Sequence, residues 1–290
     1  MCISPWKTIL KGSTSTIVNH FVFNCHTHIG DAFISLDKTA GRRWNVEELV
    51  APPHGLKHKM LEKASERTVG EGMRKAISVM RRCGTTHFCD FREGGVRGAE
   101  QLRKIAESEG INAIILGRPA ELKYDRDETD EILGIANGIG VSSISDWDYD
   151  ELQKVAEHTR KRKKMFALHA SEAFREDINA ILDLKPTFLV HMSSASIDDI
   201  EIVADEEIPV VVCPRSNAFF GIRPDIEGMV AHGVTLLLGT DNAMIVPPDI
   251  MDEVDYLLNN FDVSREQALE IVYENPRKSL NVSVNIQQTD

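Results

Sequence analysis

Five residues able to hold a metal ion stand at the ends of four short apolar runs. The first run closes on Cys25-His26-Thr27-His28. Residues i and i+2 of a strand project from one face, so both imidazoles can converge on one ion. With ten histidines in 290 residues, an H-x-H triplet arises by chance in roughly one such chain in three or four, so the pair needs company. His169 closes Met165-Phe166-Ala167-Leu168-His169, His191 closes Phe188-Leu189-Val190-His191, and Asp241 follows Leu236-Leu237-Leu238-Gly239-Thr240. Several histidines with one carboxylate suit a divalent transition ion that keeps a position open for water or substrate. Singly, each histidine reads more readily as a buried, hydrogen-bonded core residue. Their joint placement at strand ends points to a site.

The elements that must position these residues recur along the chain. Eight β-branched or apolar runs stand out: Phe21–His28, Thr85–Phe91, Ala113–Gly117, Gly138–Ser142, Met165–His169, Thr187–His191, Val210–Cys213 and Thr235–Gly239. Helical patterns lie between them over Lys57–Arg82, Gly98–Gly110, Tyr149–Lys163, Glu172–Leu184, Ser196–Ala204, Pro224–His232, Asp249–Asn260 and Ser264–Tyr273, several ended by Gly or Asn as C-caps favour. The interval Arg118–Glu131 is the weakest helical pattern. Eight strands in about 250 residues is the arithmetic of a (β/α)8 barrel of the TIM type, with an open doubly wound sheet as the alternative. In a barrel all strand C-termini open on one face, so residues distant in sequence meet there. Residues 1–290 read as one domain with its barrel core at about 21–280. Ser13–His20 and Leu280–Ile286 both have β character and are expected to pair as a small annex.

Composition narrows the partners. There are 33 Lys plus Arg against 45 Asp plus Glu, a formal net charge of −12, which disfavours a nucleic acid. The basic run Arg160–Lys164 is expected to end a helix, where cations meet the negative dipole end. Five scattered cysteines without a C-x-x-C pair fit a reducing compartment. No signal peptide or membrane span is visible, so a cytoplasmic protein without a membrane partner is expected; a homo-oligomer is compatible with the sequence.

The strings His26-Thr27-His28, His169-Ala170-Ser171-Glu172, His191-Met192-Ser193-Ser194, Cys213-Pro214-Arg215-Ser216-Asn217 and Gly239-Thr240-Asp241-Asn242 resemble the amidohydrolase superfamily. The similarity is to the branch containing cytosine, guanine and S-adenosylhomocysteine deaminases and the triazine chlorohydrolases, and runs from about Phe23 to Leu280. The resemblance implies one Zn²⁺ or Fe²⁺ held by His26, His28, His169 and Asp241, with Glu172 as proton shuttle and His191 orienting or polarising the attacked group. It implies a deaminase acting on a small nitrogen heterocycle, the alternatives being hydrolysis of a cyclic amide or chloro-heterocycle on the same site, or a catalytically silent barrel. Glu172 also reads as a first-turn helix residue favoured by the dipole.

Departures from the family pattern sharpen the expectation. Binuclear relatives carry a bridging lysine at the end of strand four, and Gly138–Ser145 contains none; Lys123 is the one lysine nearby. With 25 residues before His26, a minimal version with little or no accessory β-sandwich is expected. The H-x-E and P-C-x-x-C signature of the cytidine-deaminase fold is missing. For substrate contacts, the long loop Asp31–Lys57 offers Arg42, Arg43, Trp44 and His54, and the predicted catalytic face adds Arg118, Arg215, Ser216 and Asn217. Trp44, His54, Arg118 and Asn217 are the candidates for touching substrate.

Overall fold

The computed structural model describes residues 21–36 and 43–280. The annex strands at the two ends (Leu280 excepted) and Arg42 lie outside them. Eight of the expected apolar runs are strands: β1 (Phe23–His28), β2 (His87–Arg92), β3 (Asn112–Gly117), β4 (Gly138–Val141), β5 (Met165–Ala170), β6 (Phe188–His191), β7 (Val210–Val212) and β8 (Leu236–Leu238), followed by a short β9 (Asp241–Asn242). All neighbours are parallel in the order β8-β7-β6-β5-β4-β3-β2-β1-β9. β8 and β9 are two halves of one strand, interrupted at Gly239–Thr240. Pairing of Thr27 with Asp241 and His28 with Asn242 closes the sheet on itself as a (β/α)8 barrel. Gly239 is needed at the interruption, because a Cβ there would lie 2.7 Å from the Cβ of His26.

Period-two alternation divides the strands between two cores. Phe88, Ile115, Phe166, Leu168, Leu189 and Val210 pack outward against the helices. Cys89, Phe91, Leu116, Ala167, Phe188, Val190, Val211 and Leu237 fill the barrel interior. Parallel strands covered on both faces have to be apolar throughout, which is why these runs lack polar alternation.

The helices depart from expectation mainly in four places. The pattern over Lys57–Arg82 is two helices, Leu56–Lys63 and Glu66–Cys83, because Ser65 caps the second by accepting from the Thr68 N–H. The weakest pattern, Arg118–Glu131, is a helix shifted to Arg126–Ile135 and capped by Asp125. The expected helix over Glu172–Leu184 shrinks to Ile178–Asp183. Before it, Ser171 has φ 46° and the Glu176 carboxylate accepts from Ser171 N at 2.8 Å and Ser143 Oγ at 2.6 Å, holding the stretch as a loop. Glu172 is therefore not a first-turn helix residue. Pro214–Phe219, not among the expected helical patterns, is a short helix with Pro at its first position. No helix among the described residues is long and apolar enough to cross a membrane, and the four described cysteines are free.

Candidate metal centre and active site

Different backbone devices bring the five donors together. His169 needs none: Ala167 faces the interior, and His169 follows two residues on. In β1 the alternation is broken. Phe23 and Cys25 belong to the interior core, so regular alternation would turn His26 and His28 outward. Between Asn24 and Thr27 the strand carries one residue more than the facing Phe88–Asp90 of β2, a β-bulge that re-aims both imidazoles inward. The His26 ring then stands edge-on to Phe91 at 4.6 Å between centroids. Thr27 and the Ile29 N–H both donate to Asp90 Oδ2, at 2.8 and 2.7 Å, fixing the strand end. His191 pairs in register with the outward-facing Ala170 and enters the site through a left-handed backbone, φ 78°. Asp241, beyond the Gly239 break, is also left-handed, φ 61°.

The donor atoms converge. Nε2 of His169 lies 3.2 Å from Nε2 of His26 and 3.3 Å from Nε2 of His28. Asp241 Oδ1 lies 3.3 Å from His26 Nε2 and 3.6 Å from His28 Nε2. Around an ion with bonds of about 2.0–2.1 Å, tetrahedral ligands are about 3.3–3.4 Å apart, so these are ligand-to-ligand spacings. His191 stands with His26, His169 and Asp241 in a group whose ligand atoms all lie within 4.8 Å of one another.

The acceptors around the rings select their tautomers. His169 Nδ1 faces the Val141 carbonyl at 2.9 Å, and His28 Nδ1 faces Glu93 Oε1 at 2.8 Å. Each acceptor favours the proton on Nδ1, leaving both Nε2 atoms as bare lone pairs aimed at each other and at a carboxylate. Burial keeps the rings neutral: it pushes His28 down to about 3 and His191 to about 4, and drives His169 well below and His26 below the usual imidazole range. Facing lone pairs repel unless a cation lies between them. The residues therefore fit a divalent ion. Burial alone would raise the Asp241 carboxyl, but the hydrogen bond from His26 opposes it and the group is held well below the usual carboxylate range. Ser216 Oγ donates to Asp241 Oδ2 at 2.6 Å, leaving Oδ1 for the cluster.

Beside the cluster stand two groups with no hydrogen-bond partner: the buried Glu172 Oε1 and His191 Nε2, 3.6 Å apart. Burial first and the Asp241 charge second raise the Glu172 carboxyl well above its usual range. Asn217 Nδ2 approaches His191 Nδ1 at 3.4 Å from behind.

These groups open on a cavity of about 610 Å³ lined by His28, His169, Glu172, His191 and Asp241, and also by His54, Arg118, Lys57, Asp146 and Phe174. Of the four expected substrate contacts, His54 and Arg118 line it; the Arg118 guanidinium is buried, with Nε unpartnered. The other two do not. Trp44 packs with Ile34, Leu49, Met244 and Ile245 in an apolar cluster, and the fully buried Asn217 sits behind His191. Arg43 and Lys123 are exposed, and Arg215 is engaged by Glu253, Asp252 and the Asp249 carbonyl. Sequence reasoning missed Glu93, Lys57 and Asn242. Glu93 immediately follows β2, so the strand-end criterion that selects His191 could have found it. Nothing in the sequence marks Lys57.

The family described as Amidohydrolase family matches residues 21–286. An uncharacterized protein of Methanocaldococcus jannaschii is 35% identical over 280 residues, 90% of this chain and 72% of that one. A protein of Archaeoglobus fulgidus bearing the provisional name aminohydrolase is 35% identical over 256 residues, 87% of this chain and 71% of that one. Among solved structures, the aminofutalosine deaminase of Helicobacter pylori shares the fold with a TM-score of 0.71 at 12% identity, over 91% of this chain and 74% of its own.

Proposed function

Because the chain belongs to the amidohydrolase family, we propose that it is a mononuclear metal-dependent hydrolase of carbon–nitrogen bonds, an aminohydrolase that removes ammonia from a nitrogen heterocycle. The carrying observation is the unpartnered Glu172 Oε1 beside a cluster of donors spaced as ligands. His26, His28, His169 and Asp241 would hold one ion, Zn²⁺ or Fe²⁺. Such an ion, when bound, lowers the pKa of its water from 15.7 toward about 7 and so supplies a nucleophile at neutral pH. The exposed position of Lys123 and the absence of lysine from β4 support a single ion.

The chain's own groups handle the protons. Glu172, with its raised proton affinity, can take one proton from the attacking water and pass it to a ring nitrogen. The Asn217 amide N–H faces His191 Nδ1, so the neutral ring carries its proton on Nε2 and offers a donor to the attacked group. A carbon–oxygen bond forms and the exocyclic carbon–nitrogen bond breaks. One water proton remains on the ring nitrogen and the other leaves with ammonia. Arg118, His54 and Phe174 are placed to hold the remainder of the substrate.

The test is elemental analysis of protein expressed with Zn²⁺ or Fe²⁺, followed by an ammonia-release screen over pyrimidines, purines and pterins. One ion per chain with ammonia release is expected. Halide or a new carboxylate without ammonia would redirect the reading to a chloro-heterocycle or cyclic amide, and absence of bound metal would overturn it.

A further inference from the structure

Two buried groups outside the ligand set meet at the back of His28. Glu93 leaves the end of β2, and its Oε1 lies 2.8 Å from His28 Nδ1 and 2.5 Å from Lys57 Nζ. Its second oxygen is 3.6 Å from Arg92 Nη1. Lys57 also donates to Asn242 Oδ1 at 2.8 Å, on the residue next to Asp241, and lies 3.9 Å from Asp31 Oδ2. Lys57 is 2% exposed and Glu93 6%. Charges this deep persist when they are matched, and here the matching partners come from separate parts of the chain. The ligands stand on barrel strands, whereas Lys57 belongs to the helix Leu56–Lys63, directly after the stretch from Asn45 to His54 that walls the catalytic cavity.

The histidines differ in how they are held. His169 is oriented by a main-chain carbonyl, that of Val141, which cannot move without the strand. His28 depends on a side chain, and that side chain on Lys57. The orientation of one ligand is thereby linked to the seating of the cavity wall.

We propose that Glu93 and Lys57 are positioning residues that couple the cavity wall at 45–57 to the metal-ligand cluster, Glu93 fixing the His28 ring with Nε2 toward the ion site and Lys57 fixing Glu93 and Asn242 from the wall. This rests on the metal-centre reading above. Its consequence is reciprocal: an ion that orders His28 also orders the wall, and a wall that opens loosens a ligand.

The experiment uses the full chain and Zn²⁺ as the probe. Affinity is measured by competition with a chromophoric chelator, and hydrogen exchange is followed over 45–57 with and without Zn²⁺. Glu93→Ala should weaken Zn²⁺ binding by about 10–100-fold, and Glu93→Gln, which keeps an oxygen toward Nδ1, should recover most of it. In the wild type, Zn²⁺ should slow exchange across 45–57. In Lys57→Met that response should vanish while Zn²⁺ still protects the ends of β5 and β6. Wild-type affinity in Glu93→Ala, a wild-type wall indifferent to Zn²⁺, or a response retained in Lys57→Met would each overturn the proposal. The Lys57→Met comparison decides it even where Glu93→Ala does not fold. A wild-type chain that binds no Zn²⁺ would instead overturn the metal-centre reading itself.

Discussion

The rings of His28 and His169 stack at 17° with their Nε2 atoms 3.3 Å apart, while each Nδ1 faces an oxygen on the far side. Two neutral imidazoles so placed have no proton to share between them. An ion between them would resolve the repulsion, so its binding should stabilise the fold. Chelator treatment should abolish activity and lower the thermal midpoint, and added Zn²⁺ or Fe²⁺ should restore both. At free ion a hundredfold over Kd the stabilisation is about 2.7 kcal/mol. His26→Ala should lose the bound ion; a melting curve indifferent to metal would contradict this geometry.

Glu172→Gln keeps the shape of the side chain and removes its ability to carry a proton. Metal content should stay at the wild-type level while turnover falls by about 10²–10⁴-fold. A variant retaining most of its turnover would show that the proton travels by another group.

Asn217 is expected to act through His191 rather than on substrate. Asn217→Leu removes the donor to Nδ1, and turnover should drop by about 10²-fold with metal content unchanged. Asn217→Asp is closer in shape yet should fall at least as far, because a carboxylate draws the proton to Nδ1 and strips Nε2 of its N–H. Imidazole ¹⁵N shifts would report the tautomer directly, and an unchanged tautomer in Asn217→Asp would refute the assignment.

Glu253 supplies a pH signature outside the donor cluster. It is fully buried and accepts from Arg215 N at 2.7 Å, and burial pushes its carboxyl up to about 8. Unfolded, it would titrate near 4.3. Between those values the folded chain holds a proton that the unfolded chain releases. This contribution therefore lowers stability as pH rises from about 4.3 through 8. Glu253→Gln should flatten that part of the curve in urea melts at stepped pH; an identical slope would show that Glu253 is ionised in the fold.

Much of the architecture was legible because parallel strands buried on both faces must be apolar runs, and every one of the eight runs is a strand within two residues of its expected ends. Helix limits were less legible. The loop at Ser171–Asp177 replaces an amphipathic pattern because Glu176 bonds across to Ser143 and Ser171, a contact between segments that no local period encodes. Trp44 was expected at the cavity for its ring, but an apolar cluster claims it.

For the site, the sequence by itself determined which donors exist and that they stand at strand ends: His26, His28, His169, His191 and Asp241 can be read from local patterns, because strand termination and residue type are local properties. Only the tertiary structure decided how they converge. The H-x-H spacing suggests simple alternation, yet a bulge in β1, visible only in its register against β2, turns the pair inward. His191 would face the helices by its pairing with Ala170 and is brought round by a positive φ. Glu93 and Lys57 meet His28 across separate segments. Pairing register, left-handed backbone and matched buried charge all depend on neighbours remote in the chain, so the residue types show the chemistry while the closed barrel sets its geometry.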